Sequence, residues 1–273
     1  MKFTAILSVL LCAISVVAAP FTELRRERRA TRQRARTVPN KHSLPPQNVT
    51  TGNVEGPLSN AVNIQYSSNW AGAVLTGSGY TTVTGTVVVP RPQEPSGGSS
   101  RTQYAASAWV GIDGDTCQSA ILQTGVDFYI EDGQASFDAW YEWFPNYAYN
   151  FDGITINVGD TIKMTVTAES TSSGTAIIDN LSTGRTVSHS FSGESSQLCQ
   201  SDAEWIIEDF SSGSSLVPFA DFNTVTFTDA SVTTSDGTTL GVSSATILDI
   251  KQNNKVLTDC STSGDSTVTC SYV

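Results

Sequence analysis

The chain has 273 residues, of which 39% are hydrophobic and 15% charged, with five cysteines and two histidines. That length suits one large β domain or two small ones. Charge is split sharply: residues 1–60 hold 9 of the 15 Lys and Arg but only 3 of the 26 Asp and Glu, so residues 61–273 carry 6 basic against 23 acidic side chains, a net of −17 at neutral pH. Such an excess disfavours nucleic acid or an anionic membrane as the partner of the acidic part. It favours acid surroundings, where carboxylates protonate and their mutual repulsion relaxes.

Residues 1–19 read as an export signal. Lys2 supplies the positive end, Ile6–Val17 is apolar, and Val17-Ala18-Ala19 puts small residues before the expected cut. The apolar run is too short to span a bilayer, so the expected product is secreted and extracellular, with no membrane segment. Residues 20–60 read as a basic propeptide and linker. They contain Arg25, Arg26, Arg28, Arg29, Arg32, Arg34, Arg36 and Lys41, followed by Pro45, Pro46 and Pro57. A basic segment joined to an acidic domain is expected to dock on it as an intramolecular ligand and mask it near neutral pH. Acid should release it, with a cut between about Asn48 and Gln65, where the chain is polar.

Residues 61–273 read as one domain. Tyr80–Pro90 is rich in β-branched residues, and Ile154–Val158, Ile162–Ala168 and Val225–Thr228 alternate apolar and polar positions. Turn signals separate such runs: Gly77-Ser78-Gly79, Ser96-Gly97-Gly98, Asp132-Gly133 and Asp236-Gly237. Many short strands at this spacing predict an all-β sandwich of two sheets. Cys12 lies in the export signal, which leaves Cys117, Cys199, Cys260 and Cys270, an even set in an exported chain. Three pairings are possible. Cys260 and Cys270 flank a short Ser-, Gly- and Asp-rich segment that suits a local clip, leaving Cys117 with Cys199. Asn180-Leu-Ser is a candidate glycan acceptor.

The common hydrolase chemistries find no residues. Residues 61–273 hold one histidine, His189, in an alternating run. A serine triad would need it, yet no Gly-x-Ser-x-Gly elbow accompanies it. One histidine is also too few for a usual zinc site, and paired cysteines leave no thiol nucleophile. The twin Asp-Thr-Gly or Asp-Ser-Gly loops of pepsin-type enzymes are absent from the sequence. Neither metal nor cofactor is implied, and what remains is chemistry by carboxylates and amides.

Three segments concentrate tryptophan, acids and amides: Ser107–Asp127, Asp138–Pro145 and Glu204–Phe210. In extended strands, Ile121 and Gln123 share a face, as do Glu204, Ile206 and Glu208, and as do Trp140, Glu142 and Phe144, with Tyr141 and Trp143 opposite. A Cys117–Cys199 bridge would start the strands of Gln123 and Glu208 within about ten residues of one point, or ~33 Å at full extension.

These motifs carry a resemblance. Trp70–Ala73, Ser107–Gly114, Ile121–Gly125, Asp138–Trp143 and Glu204–Phe210 resemble, in order, the motifs of the glutamic peptidases, or eqolisins. The resemblance runs from about residue 65 to the end. It implies a sandwich of two curved antiparallel sheets, similar in topology to concanavalin-like lectins and glucanases, and an acid endopeptidase acting on polypeptides; a monomer is expected. It implies a catalytic pair, Gln123 and Glu208. Around the pair, Trp109, Asp113, Asp127, Asp138, Trp140 and Glu142 are candidates for substrate contact or for support of the site. Some members carry a Cys-bearing insertion after the Glu-Asp-Phe motif; here Ser211–Ser215 is shorter and lacks Cys.

The residue types suit the reaction. Peptide hydrolysis needs an activated water, a stabilised oxyanion and a proton for the leaving nitrogen. A glutamate, ionising near pH 4.3 in free peptides, can take and return the proton in acid. A glutamine amide can both accept from the water and donate to the oxyanion. The rival expectations are a concanavalin-like glycoside hydrolase using Glu142 and Glu208, whose retaining form needs carboxyls about 5–5.5 Å apart, and a lectin stacking sugars on its tryptophans.

Overall fold

The computed structural model describes residues 41–42, 44–51 and 64–273. The expected export signal and the Arg25–Arg36 run lie outside the described residues. Among the described residues every regular element is a strand. Two large sheets form a sandwich, as expected. One runs in the order Thr50–Thr51, Ile64–Ser67, Thr246–Gln252, Trp70–Thr76, Asp202–Glu208, Tyr104–Ile112, Ile121–Glu131, Gln134–Phe144 and Tyr149–Asn150. The other centres on Thr161–Ser170, Tyr80–Val88 and Thr224–Thr234. Pairing is antiparallel except where Thr246–Gln252 runs parallel to Ile64–Ser67.

Period-two alternation decides which side of the first sheet each residue faces. Ala106, Ala108, Val110 and Ile112 point inward with Leu122, Val126, Trp143, Trp205 and Ile207, meeting Met164, Val166, Ile178 and Phe227 of the second sheet in one buried core. The intervening residues form a separate cluster on the outer face: Trp70, Val74, Trp109, Ile121, Trp140, Ile206 and Leu248. The five tryptophans are thereby divided, Trp143 and Trp205 to the inter-sheet core and the other three to the outer face.

The strand expected at Ile154–Val158 does not form. Its polar groups are satisfied locally instead: Asn157 N–H donates to Asp160 Oδ2 at 2.9 Å, and the Thr155 carbonyl accepts from Asn180 Nδ2 at 3.1 Å. Ile156 is buried without a ladder. Both expected disulfides are present, Cys117–Cys199 across 82 residues and Cys260–Cys270 across 10. The second joins directly opposed residues of the terminal hairpin.

Candidate active site

The outer face is laid out as rows across adjacent strands. Glu208 lies opposite Trp70 on one side and Ser107 on the other; Ser107 faces Asp127, and Asp127 faces Asp138. In the next row Ile206 faces Trp109, Trp109 faces Gly125, and Gly125 faces Trp140. In the third, Glu204 faces Gly111, Gly111 faces Gln123, and Gln123 faces Glu142. Glu208, Gln123, Trp109, Asp127, Asp138, Trp140 and Glu142 therefore share one face, as alternation predicts.

The middle row is possible because residue 125 is glycine. A Cβ there would lie 2.5 Å from Trp109 Cβ and 2.9 Å from a ring atom of Trp140. The bare backbone lets the two indoles close over it as a floor between the Glu208 row and the Gln123 row. Trp70 packs edge-on against Trp109, with centroids 4.9 Å apart. Both indole N–H groups of the floor are used: Trp109 Nε1 donates to Glu208 Oε2 at 2.9 Å, and Trp140 Nε1 to Ser107 Oγ at 3.1 Å. Glu208 is thus wholly buried yet held by a donor that favours its ionised form. Gln123 and Glu142 are also wholly buried.

Of the two roles open to Asp113, substrate contact or support of the site, its hydrogen bonds fit support. It ends the Tyr104–Ile112 strand with φ of 69°, in the left-handed region. Its carboxylate accepts from the backbone N–H of Cys199 (2.7 Å), Gln200 (2.8 Å), Ser201 (2.8 Å) and Asp202 (3.2 Å). It fixes the loop that starts the Glu208 strand, beside the Cys117–Cys199 bridge. Burial raises its pKa, against the lowering effect of those N–H donors. Asn180, the candidate glycan acceptor, is buried in a turn. Its side chain is 1% exposed, its Nδ2 donates to Thr155 O and Asp160 Oδ2, and its Oδ1 accepts from Ser182 and Thr183. A glycan on Nδ2 would displace those bonds, so the Asn reads as a turn-holding residue. His189 stacks on Tyr141 with ring centroids 4.0 Å apart, on the side of the Gln134–Phe144 strand away from Glu208.

Glu204 shares the strand and face of Glu208 but not its environment. It is wholly buried, and neither carboxyl oxygen has a hydrogen-bond partner among the described residues. Burial first, then the neighbouring carboxyls of Asp202, Asp113 and Asp115, holds its pKa well above the ordinary range, which favours its protonated form.

The chain's own upstream segment is seated at Glu208. Leu44 N–H donates to Glu208 Oε1 at 3.2 Å. The backbone of Lys41–His42 pairs antiparallel with Ser211–Ser212, which is itself paired to Ser215–Leu216. On the other side, Asn69 Nδ2 donates to the carbonyls of Leu44 (3.1 Å) and Pro45 (3.3 Å), and Asn69 Oδ1 accepts from Gln47 N–H at 2.8 Å. Thr50–Thr51 then extends the sheet edge along Gln65 and Tyr66. Sequence reasoning missed Asn69 and Ser67. They precede the Trp70 motif with no charge or periodicity to mark them, and only their place in the fold identifies them.

Comparison with known proteins identifies the family. Residues 68–272 match the model of the Peptidase A4 family. The chain is 54% identical to Aspergillopepsin-2 of Aspergillus niger over 288 aligned positions and 50% identical to Scytalidopepsin B of Scytalidium lignicola over 283, covering 100% of both chains in each case. A crystal structure of scytalido-glutamic peptidase with a transition state analog inhibitor superposes with a TM-score of 0.69 at 53% identity, covering 76% of this chain and 98% of that one.

Proposed function

This chain belongs to the Peptidase A4 family and is a glutamic-type endopeptidase, and from that premise we propose that it hydrolyses polypeptides in acid with Glu208 as proton-transfer group and Gln123 as oxyanion donor. The carrying observation is a buried Glu208 whose two oxygens accept from Trp109 Nε1 and from a backbone N–H of the chain itself. In the reaction, Glu208 takes a proton from water as the water oxygen bonds to the carbonyl carbon. The carbonyl oxygen becomes an oxyanion, to which the Gln123 amide N–H donates. The C–N bond then breaks, and the proton moves from Glu208 to the departing nitrogen. The floor of Trp109 and Trp140 limits water around these charges, which strengthens each interaction.

The same reading extends to maturation. The chain is made for export behind residues 1–19, and residues 20–60 act as a propeptide that self-processes in acid. Leu44 on Glu208 Oε1 occupies an atom the water must reach, which supports masking by residues 41–51 in addition to the charge attraction expected of the arginines. Because Thr50–Thr51 pairs with Gln65 and Tyr66, the expected cut moves beyond Thr51. The glycosidase alternative is disfavoured by the family match, which covers residues 68–272, and not by the placement of Glu142, which shares the face of Glu208. The deciding experiment incubates purified protein with denatured casein at about pH 3–4, alongside the Glu208→Gln and Gln123→Ala variants. Both variants should stay folded, lose casein cleavage and persist as precursor. Near-normal cleavage by either one ends the assignment.

A further inference from the structure

The segment seated on the site reports how a peptide lies in it. In peptide hydrolysis, one backbone nitrogen must receive a proton, that of the residue just beyond the cut. Leu44 donates its N–H to Glu208 Oε1, and taking this nitrogen as the one beside the cut sets a register in which Leu44 is the first residue on the leaving side. Counting onward, Asn69 Nδ2 meets the carbonyls of the first and second such residues, Leu44 and Pro45, and Asn69 Oδ1 meets the N–H of the fourth, Gln47.

Asn69 is built for this. It is wholly buried. Its position is set by Asp209 N–H, which donates to its carbonyl at 2.9 Å, and by Ser67 Oγ, which donates to its Oδ1 at 2.9 Å. Ser67 Oγ in turn accepts from the N–H of Asn69 and Trp70 at 3.2 Å each. Trp70 lies directly opposite Glu208, so the amide and the carboxylate are held in one rigid frame. Three of the four bonds made by the Asn69 side chain go to main-chain atoms of residues 44–47, and the fourth to Ser67. Once that segment leaves, a buried amide loses most of its partners, and the main chain of another extended peptide can supply them. Because these contacts are to backbone, they do not depend on the side chains of the peptide.

We propose that Asn69 is a substrate clamp, binding the main chain of the peptide over the first four residues beyond the cut, and that residues 44–47 of the precursor occupy that clamp in its place. The inference rests on Glu208 as the proton-transfer group. On the other side of Glu208, strand addition to Ser211–Ser212 gives the complementary hold, in the way extended peptides augment a sheet edge.

The test uses acid-converted full-length protein and a peptide series identical up to the cut, with one, two or four residues after it. For wild type, kcat/KM should rise about tenfold or more from the shortest to the longest, as expected from a few backbone hydrogen bonds. In Asn69→Ala that ratio should collapse to about threefold or less. A four-residue peptide methylated on its fourth backbone nitrogen should be cut about fivefold more slowly by wild type. This arm needs no variant to fold, and the methylation penalty should vanish in Asn69→Ala. If Asn69→Ala slows short and long peptides equally, or if wild type ignores the methyl group, Asn69 is only structural. Glu208→Gln separates the premise: near-normal cleavage by that variant would refute the register of Leu44, whatever the length series shows.

Discussion

Glu204 and Glu208 occupy one strand and one face, four residues apart, and both are wholly buried. Their surroundings make them opposites. Glu208 sits at the strand end, where Trp109 Nε1 and a peptide N–H reach its two oxygens. Glu204 sits among the carboxyls of Asp202, Asp113 and Asp115, with neither oxygen partnered among the described residues. Burial alone raises a carboxyl pKa, and donors aimed at the ionised form oppose the rise. The comparison teaches that neighbouring donors, and not burial or residue type, distinguish the environment of Glu208, the proposed proton-transfer group, from that of Glu204.

Four measurements bear on that contrast. The largest effect should come from exchanging each acid for its amide. Glu208→Gln should lower kcat/KM on a peptide substrate by about 10³-fold or more. Glu204→Gln should stay within a few-fold of wild type at acid pH, since a neutral acid becomes a neutral amide. Equal losses from the two would erase the distinction.

Removing the Cys117–Cys199 bridge by double alanine substitution should come next. In the chain-entropy account a closure of this length, 82 residues apart, stabilises by about 4–5 kcal/mol, against about 3 kcal/mol for the 10-residue Cys260–Cys270 closure. Denaturant titration at acid pH should rank the two in that order. The first loss should also loosen the Asp113-bound loop beside Glu204.

The pH dependence is smaller and has a definite sign. Burial raises Asp209 and Asp249 to about 7, in each case against a lowering hydrogen bond from Gln252 or Thr258, and holds Glu204 higher than its ordinary value. Between about pH 4 and 7 the unfolded chain gives up protons that the folded chain keeps. Stability is therefore fully present below about pH 4 and falls as pH rises through 7. Melting temperature followed from pH 3 to pH 8 should decline across that window. Glu204→Gln should make the decline shallower, and a flat wild-type profile would contradict the raised pKa values of these buried carboxyls.

The mildest change is Trp109→Phe. It keeps a ring in the floor and removes the donor at 2.9 Å from Glu208. About a tenfold loss in kcat/KM is expected, with a shifted acid limb in the pH–rate profile, from one hydrogen bond to a charged group. An unchanged profile would mean that the indole N–H does not tune the carboxylate.

Much of this molecule is legible along the chain. Alternation in Ser107–Ile112, Ile121–Asp127, Asp138–Phe144 and Glu204–Glu208 assigns each side chain to a face before any strand is paired, because the pleat has a period of two. The short Cys260–Cys270 spacing selects its own disulfide. Alternation misled at Ile154–Val158, where Asn157 and Asp160 close a turn that satisfies the backbone without a partner strand. It was also silent on Asn180, whose sequon is a local pattern but whose burial is not.

Register belongs to the tertiary structure. Only cross-strand pairing puts Gly125 between Trp109 and Trp140, Trp70 opposite Glu208, and Gln123 opposite Glu142. Only the loop held by Asp113 surrounds Glu204 with acids while leaving Glu208 to Trp109. Asn69 gains its meaning when residues 44–47 pass over it, a contact between segments more than twenty residues apart. Residue type and period are properties of neighbours along the chain. The donors that decide what a carboxylate does come from other strands, and nothing local specifies which strand will be adjacent.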